Sequence, residues 1–218
     1  MQFDIITIFP KLFNSFLNES LIKKFLNKKG ANIKIHNLRD WACDKHKTVD
    51  DKPYGGGPGM LLMAPPIIAA LKDIKTKNKK VKIVLLTPGG EQFAQKKAKE
   101  LLKVKQIIFI CGRYEGVDAR IEKMVDEKIS IGPYIMSGGE LPAMVIMETM
   151  MRLMPGYLGN PNSLKEETRF EKNGKKNEYA QYTRPAEIKI GRKNCVVPSV
   201  LLSGHHKKIS QWRKIVDK

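Results

Sequence analysis

Residues 106–118 read QIIFICGRYEGVD, an apolar run followed by a turn that carries two glycines and three charged residues. From Gln106 to Cys111 the run is short and rich in isoleucine, which indicates a buried β-strand. The turn at 111–118 therefore leaves the carboxyl end of a strand. In open α/β sheets ligands bind beyond those ends, so this stretch predicts both a fold class and the place of a site.

The sequence around this stretch alternates between strand and helix patterns. Apolar or alternating runs predict strands at 3–9, 32–38, 82–86 and 128–131. Helical spacing predicts one helix over 10–30, others at about 64–73 and 91–103, one from about Asp118, and one from Glu140 to Leu153. Strands that alternate with helices indicate an α/β fold with a parallel sheet.

Two further turns leave predicted strand ends. TPGGE occupies 87–91 and SIGPYIMSGGELPA occupies 130–143. Glycine lets a backbone approach a ligand closely, so three such turns predict one composite pocket. Neither GxxxxGK[ST] nor GxGxxG occurs, which argues against two common nucleotide-binding motifs.

Composition limits the class of partner. The chain has 218 residues, 42% of them hydrophobic, which is enough for one core. Forty Lys and Arg against 22 Asp and Glu leave a net charge of +18, which favours a polyanionic partner. Only eight of the cations are arginine, and a lysine excess fits biased composition equally well. The arginines are more informative, because a planar guanidinium recognises phosphate or a base edge.

The cysteines and the apolar runs argue against several other classes of protein. Cys43, Cys111 and Cys195 are few and far apart, so neither a disulfide framework nor a zinc site is expected. No apolar run approaches the roughly 18 residues of a membrane span, and MQFDIITIFP lacks the features of an export signal. We expect a cytoplasmic protein.

The composition and the periodicity of the sequence change after Leu158. Residues 159–178 are polar and aperiodic, which indicates a linker or mobile loop, and PSVLLSG and HHKKISQWRK indicate a small helical tail. We predict a cofactor-binding domain at 1–158, a flexible linker at 159–170 and a small helical domain at 171–218.

Six motifs, in order, resemble the bacterial tRNA (guanine-37-N1)-methyltransferase (TrmD) family of the SPOUT class: TVDDKPYGGGPGM, CGRYEGVD, SIGPYIMSGGELPAM, RLMPG, YTRP and VLLSGHH. The resemblance runs from ITIFP to Trp212. It implies an S-adenosylmethionine-dependent enzyme that methylates N1 of guanosine 37 in tRNA. It also implies a deep trefoil knot in the α/β domain and a homodimer with shared active sites.

The resemblance also implies a set of cofactor-binding residues, with Glu115 available to the ammonium group. The set is Leu86, Thr87, Pro88, Gly89, Gly112, Glu115, Ser130, Ile131, Gly132, Tyr134, Met136, Gly138 and Gly139. Pro133 stands where relatives carry Asp, so no side-chain contact is expected there.

Guanine N1 carries a proton at neutral pH, so methylation needs a general base beside N1 and a donor that stabilises charge on O6. By resemblance, Arg152 is the donor. A catalytic Asp of the family aligns with Glu167, and Glu166 is the alternative base.

The glycine-rich segment DDKPYGGGPGM at 50–60 is predicted to form neither helix nor strand and to bind the substrate base through Asp50, Gly57 and Gly59. Further contacts to the anticodon arm are expected from Arg184, Ser203 and His205, and from Trp212 with Arg213. No metal site is assigned on the protein. Magnesium dependence is implied by the resemblance, without a position for the ion.

Two alternatives remain at this level. One is a related SPOUT enzyme that methylates another tRNA or rRNA position. The other is a basic RNA-binding protein without catalysis, which explains the charge but leaves three glycine-rich turns and Arg152 without a role.

Overall fold

The computed structural model describes residues 1–75, 80–160 and 179–215. The chain forms two compact units, Met1–Pro161 and Asn162–Lys218. The domain boundaries that we predict, and the linker at 159–170, stay predictions.

The first unit is built on a parallel sheet of five strands: β1 Gln2–Thr7, β2 Asn32–Asn37, β5 Val81–Gln92, β6 Gln106–Cys111 and β7 Glu127–Ser130. Their order in the sheet is β2-β1-β6-β5-β7. A short antiparallel pair, β3 Asp50–Asp51 and β4 Leu61–Leu62, lies outside it. The predicted α/β fold with a parallel central sheet is confirmed.

The helices of this unit connect the strands. They are α1 Asn14–Asn18, α2 Ser20–Asn27, α3 Ala64–Ile74, α4 Gln95–Leu101 and α5 Glu140–Arg152, with 3-10 helices at Pro10–Phe13, Leu38–Trp41 and Ala119–Met124. Side chains of β6 alternate between the two faces of the sheet. Ile107 and Phe109 pack in a cluster with α5, whereas Ile108 and Ile110 pack in a cluster with α3. Both faces are therefore buried, as a continuous apolar strand requires.

The predicted single helix over 10–30 is wrong, because the chain breaks at Glu19, which is extended, and Ser20, whose φ is 54°. Phe16 and Phe25 both pack in the α5-side cluster. They are nine residues apart, which at 3.6 residues per turn places them about 180° apart on one continuous helix. The break lets both rings face the same core.

The segment TPGGE is not a plain turn. Strand β5 continues to Gln92, and both Leu86 and Glu91 pair with Ile129, so residues 87–90 form a bulge between them. Because residues 91 and 92 belong to the strand, α4 starts at Gln95 rather than near 91.

At two other places the type of secondary structure differs from the one predicted. The helix expected from Asp118 is the 3-10 helix Ala119–Met124, in which the Asp118 carboxylate accepts a hydrogen bond from the backbone N–H of Arg120. The glycine-rich segment has strand pairing at its ends, between Asp50–Asp51 and Leu61–Leu62, where none is predicted.

The described part of the second unit contains a hairpin, β8 Glu187–Ile190 and β9 Lys193–Val196, followed by α6 Ser199–Leu202 and α7 His206–Ile215. The helices expected in the tail are present, and the hairpin before them was not predicted. The available signal was the alternation of Ile188 and Ile190 before Gly191, which has a φ of 60° in the turn. Among the described residues, no helix combines the length and hydrophobicity needed to cross a bilayer.

Candidate active site

Residues 85–88 of β5 and the carboxyl ends of β6 and β7 surround a cavity of about 360 Å³. Most of the lining comes from the three glycine-rich stretches predicted to form a pocket, although 87–91 contributes only Thr87 and Pro88. The lining residues are Leu85, Leu86, Thr87, Pro88, Gly112, Arg113, Tyr114, Glu115, Gly116, Val117, Glu122, Ile129, Ser130, Ile131, Tyr134, Ile135, Met136, Ser137, Gly138, Gly139 and Pro142.

Eleven of the thirteen predicted cofactor-binding residues lie in this lining, and two do not. Gly89 lies in the β5 bulge, where a Cβ would meet nothing within 4 Å. Gly132 packs against the ring of Tyr134 instead. Sequence reasoning missed Glu122 as a lining residue, since only the fold of the 3-10 helix returns it to the cavity. It also missed Arg113, although that residue belongs to a predicted turn.

A close contact between two backbone segments explains why position 139, in the cavity lining, is a glycine. The N–H of Gly139 donates to the carbonyl of Gly112 at 2.9 Å. A Cβ on Gly139 would lie 2.7 Å from Cα of Cys111, which is too short for any side chain. The turn before α5 therefore touches the turn after β6 directly.

A buried carboxylate joins these turns to β1. Glu140, only 1% exposed, accepts a hydrogen bond from the Thr7 hydroxyl at 2.7 Å on Oε1. On Oε2 it accepts one from Nε of Arg113 at 2.9 Å, and Nη2 of Arg113 lies at the same distance. The guanidinium also stacks on Phe9, 4.6 Å from the ring centroid. Such a buried charge is stable only because both oxygens are satisfied.

The thiol of Cys111, beside this network, is buried. Burial, together with the negative charge of Glu140, raises the pKa of Cys111 well above its usual value. A protonated thiol has little reactivity, so Cys111 acts as a core residue.

The glycine-rich segment lies against the cavity wall. The N–H of Glu115 donates to the carbonyl of Met60 at 3.1 Å, and the α-carbon of Gly59, with a φ of 83°, faces the Glu115 side chain. Asp50 pairs with Leu62, whose N–H donates to Gly116. Gly57, with a φ of 123°, has open space around it.

Of the predicted catalytic residues, only Arg152 belongs to the described part of the chain. Arg152 is the last residue of α5, half-buried, and does not line the cavity. Glu167 and Glu166 lie outside the described residues. Near Arg152, burial and then the charge of Glu148 raise the pKa of Tyr157 to about 12.

In the second unit, Arg184, Ser203 and His205 are exposed, as a contact surface requires. The Ser203 hydroxyl donates to the carbonyl of Val200 at 2.7 Å and accepts from the N–H of His205 at 3.2 Å, so it shapes the turn before α7. The rings of Trp212 and Tyr182 lie 6.4 Å apart. Arg213 stacks on Tyr179, 4.7 Å from the ring centroid.

Within residues 1–75, 80–160 and 179–215, no three His, Cys, Asp or Glu side chains gather as a metal-binding group. The magnesium dependence implied by the family resemblance stays a prediction.

Comparison with known proteins gives one consistent result. The family model described as tRNA (Guanine-1)-methyltransferase TrmD matches residues 1–218. The tRNA (guanine-N(1)-)-methyltransferase of Dictyoglomus turgidum is 47% identical over 214 residues, which are 98% of this chain and 84% of that protein. The one from Ruminiclostridium cellulolyticum is 47% identical over 215 residues, 98% of this chain and 89% of that protein. The crystal structure of the tRNA (m1G37) methyltransferase from Aquifex aeolicus matches with a TM-score of 0.79 at 36% identity, covering 99% of this chain and 88% of that one.

Proposed function

The chain belongs to the tRNA (guanine-1)-methyltransferase TrmD family of methyltransferases, and on that premise we propose that it transfers a methyl group from S-adenosylmethionine to N1 of guanosine 37 in tRNA. The observation that carries this proposal is the gathering of three glycine-rich segments around one cavity at the carboxyl edge of a parallel sheet. Ligands of open α/β proteins bind at such edges.

The cavity fits the methyl donor in size and chemistry. A volume of about 360 Å³ lies within the usual range of small-molecule sites. Leu86, Ile131 and Met136 supply apolar contact, and Glu115 supplies an anion for the ammonium group. When bound, S-adenosylmethionine supplies an electrophilic methyl group on sulfur.

The fit of the donor is testable at Gly112, where a Cβ would meet no atom closer than 3.6 Å yet would stand among cavity-lining residues. We expect Gly112→Ala to keep the stability of the fold and to weaken binding of S-adenosylmethionine measured by calorimetry. Gly89→Ala is the matched control, because that glycine is open and does not line the cavity. Equal affinities of the two variants would count against this cavity.

Two residues would act on the base. Glu167, or Glu166 as the alternative, would take the N1 proton, and Arg152 would stabilise the negative charge that grows on O6. Since Arg152 does not line the cavity of its own chain, a site shared between two subunits is consistent with its position. The exposed apolar residues Leu141 and Val145, four apart on α5, support a homodimer formed through this helix.

We also propose that the parallel sheet carries the family's trefoil knot. Its support is the contact of backbones at two glycines. Gly139 donates to Gly112, and a Cβ on Gly90 would lie 2.5 Å from the backbone N of Ile129. Such contacts are expected where chain segments cross.

The tRNA is proposed to bind to the glycine-rich segment 50–60 and to the second unit. Residues 179–215 contain eight cations and a single acid, Glu187. The cations are Arg184, Lys189, Arg192, Lys193, Lys207, Lys208, Arg213 and Lys214. This excess provides the salt-dependent attraction to phosphate on which RNA binding depends.

Methyl transfer to tRNA transcripts with G or A at position 37 tests the whole proposal. We expect the wild type to methylate only the G transcript, at N1. Arg152→Ala and Glu167→Gln are expected to lower turnover by roughly a hundredfold or more while S-adenosylmethionine still binds. Methylation at another nucleotide, or full activity of both variants, would contradict the assignment.

A further inference from the structure

The charges around the cavity match those of the proposed methyl donor. At neutral pH, S-adenosylmethionine carries a sulfonium and an ammonium cation and one carboxylate anion. Among the described residues that line the cavity, Arg113 is the only cation, and Glu115 and Glu122 are the only carboxylates. Glu122 already pairs with Lys128, 2.9 Å away. Glu115, which forms no ion pair with the described residues, is thus available to a cation of the ligand, and a single guanidinium remains for the ligand's carboxylate.

Arg113 has donors left for such a ligand. A guanidinium presents five N–H groups along two edges. The edge formed by Nε and Nη2 is turned toward Oε2 of Glu140, at 2.9 Å from each nitrogen. Across the described parts of the chain, Nη1 makes no hydrogen bond or ion pair with protein. The edge formed by Nη1 and Nη2 can therefore accept a carboxylate in the two-point manner that guanidinium groups favour.

The guanidinium is held in place before any ligand arrives. Glu140 is buried and is itself fixed by the Thr7 hydroxyl, while Phe9 covers one face of the guanidinium. The Arg113 side chain also fills the space that a Cβ on Gly138 would take, and Gly138 lines the cavity. A donor fixed in this way loses little conformational entropy when it binds.

We propose that Arg113 binds the carboxylate of S-adenosylmethionine through its Nη1 and Nη2 edge, and that Glu140 is the residue that positions it. This inference rests on the proposed function and adds a specificity determinant to it. The cavity then recognises the amino-acid end of the donor as a zwitterion, with Glu115 at the ammonium group and Arg113 at the carboxylate.

Decarboxylated S-adenosylmethionine tests this assignment, because it keeps both cations and lacks only the carboxylate. Calorimetry would measure the dissociation constants of both compounds for the wild type, Arg113→Gln, Arg113→Lys and Glu140→Gln. Charge-assisted hydrogen bonds predict that the wild type prefers S-adenosylmethionine by roughly 10- to 100-fold. In Arg113→Gln the preference should fall to about one, through loss of affinity for the carboxylated compound alone.

The two other variants separate binding from positioning. Arg113→Lys keeps a cation without the fork, so it should retain part of the preference. Glu140→Gln should lower the preference while the affinity for the decarboxylated compound stays the same, which a merely structural role would not produce. Arg120→Gln is the matched control, since Arg120 is exposed, pairs with Asp118 and does not line the cavity.

The outcomes are distinguishable from failure of the proposed function. If the wild type binds both compounds equally, or if a folded Arg113→Gln variant keeps the wild-type preference, the inference is overturned while the methyltransferase assignment stands. If the wild type binds neither compound, both fail. Should Arg113→Gln not fold, as judged by circular dichroism, the wild-type preference and the Arg113→Lys measurement decide.

Discussion

The two units of this protein differ in what surrounds their side chains. In Met1–Pro161 the sheet is covered on both faces, and residues such as Phe3, Phe109 and Met147 have no exposed surface. In the second unit, none of the side chains described over 179–213 is buried, and the β8–β9 hairpin has Ile190 and Val196 more than 60% exposed. A two-stranded hairpin with both faces in solvent is only marginally stable by itself.

This difference suits the two units to different kinds of ligand contact. The first unit can hold a buried charge such as Glu140 in one position, because its surroundings are closely packed. The second unit offers exposed cations and rings that pair locally, as Arg213 does with Tyr179. Positioning of a small ligand suits the first, and adaptable contact with a large polyanion suits the second.

The largest expected difference between the units is in the stability lost when a glutamate is replaced by alanine. Glu140→Ala removes the partner of a partly buried guanidinium and of the Thr7 hydroxyl, and should destabilise the fold by about 3–5 kcal/mol. Glu187→Ala, in the exposed hairpin, should change stability by no more than about 0.5 kcal/mol. Chemical denaturation measures both, and similar losses would remove the contrast between the units.

A smaller effect is expected at a glycine contact in the first unit. Gly139→Ala places a Cβ 2.7 Å from Cα of Cys111, and the resulting backbone shift should cost about 1–3 kcal/mol. Gly159→Ala is the control, because that glycine has open space and no positive φ. Equal melting temperatures for the two variants would show that the turns after β6 and before α5 can separate without loss.

Alkaline pH should weaken the first unit through Tyr157. Burial raises its pKa to about 12, above the ordinary value of 10, so on raising the pH the unfolded chain loses this proton before the folded one does. The stabilising contribution is complete below pH 10 and is lost progressively between about pH 10 and 12. Urea denaturation across this range should show the decline, and Tyr157→Phe should make the slope shallower. An unchanged slope would place the phenol in solvent.

The smallest effect on stability, but a visible one on binding, is expected at Arg213. The variant Arg213→Gln loses an exposed cation that stacks on Tyr179, so its unfolding free energy should change by about 0.5 kcal/mol or less. If it contacts a phosphate, the slope of log affinity for tRNA against log salt should fall by about one. An unchanged slope together with unchanged affinity would remove Arg213 from the RNA surface.

Much of the fold could be predicted because some local patterns are unambiguous. Strand β6 matches its prediction residue for residue, since the continuous apolar run 107–111 fits the middle of a sheet that is covered on both faces. Helix α5 begins at the predicted Glu140 and ends one residue before the predicted Leu153. The prediction of one helix over 10–30 was wrong because it used only the local spacing of apolar residues. In the structure Phe16 and Phe25 pack in the same core cluster, which one continuous helix would not allow.

The lining of the cavity was predictable in part, for a related reason. Gly112, Gly138 and Gly139 belong to turns at strand ends, and parallel strands carry such turns to one edge. Glu122 lies in no such turn. The hairpin at 187–196 was missed because each of its strands has only four residues, too few for a clear alternation.

By itself, the order of residues along the chain determined the alternation of strands and helices, the burial of β6, the basic character and the glycine-rich turns, because these depend on neighbours a few positions apart. Only the tertiary structure decided that Thr7 meets Glu140, 133 residues away, and that Arg113 is held between Glu140 and Phe9. The physical reason is that such contacts form when distant segments pack together, and no local periodicity encodes which side chains will then share a buried charge.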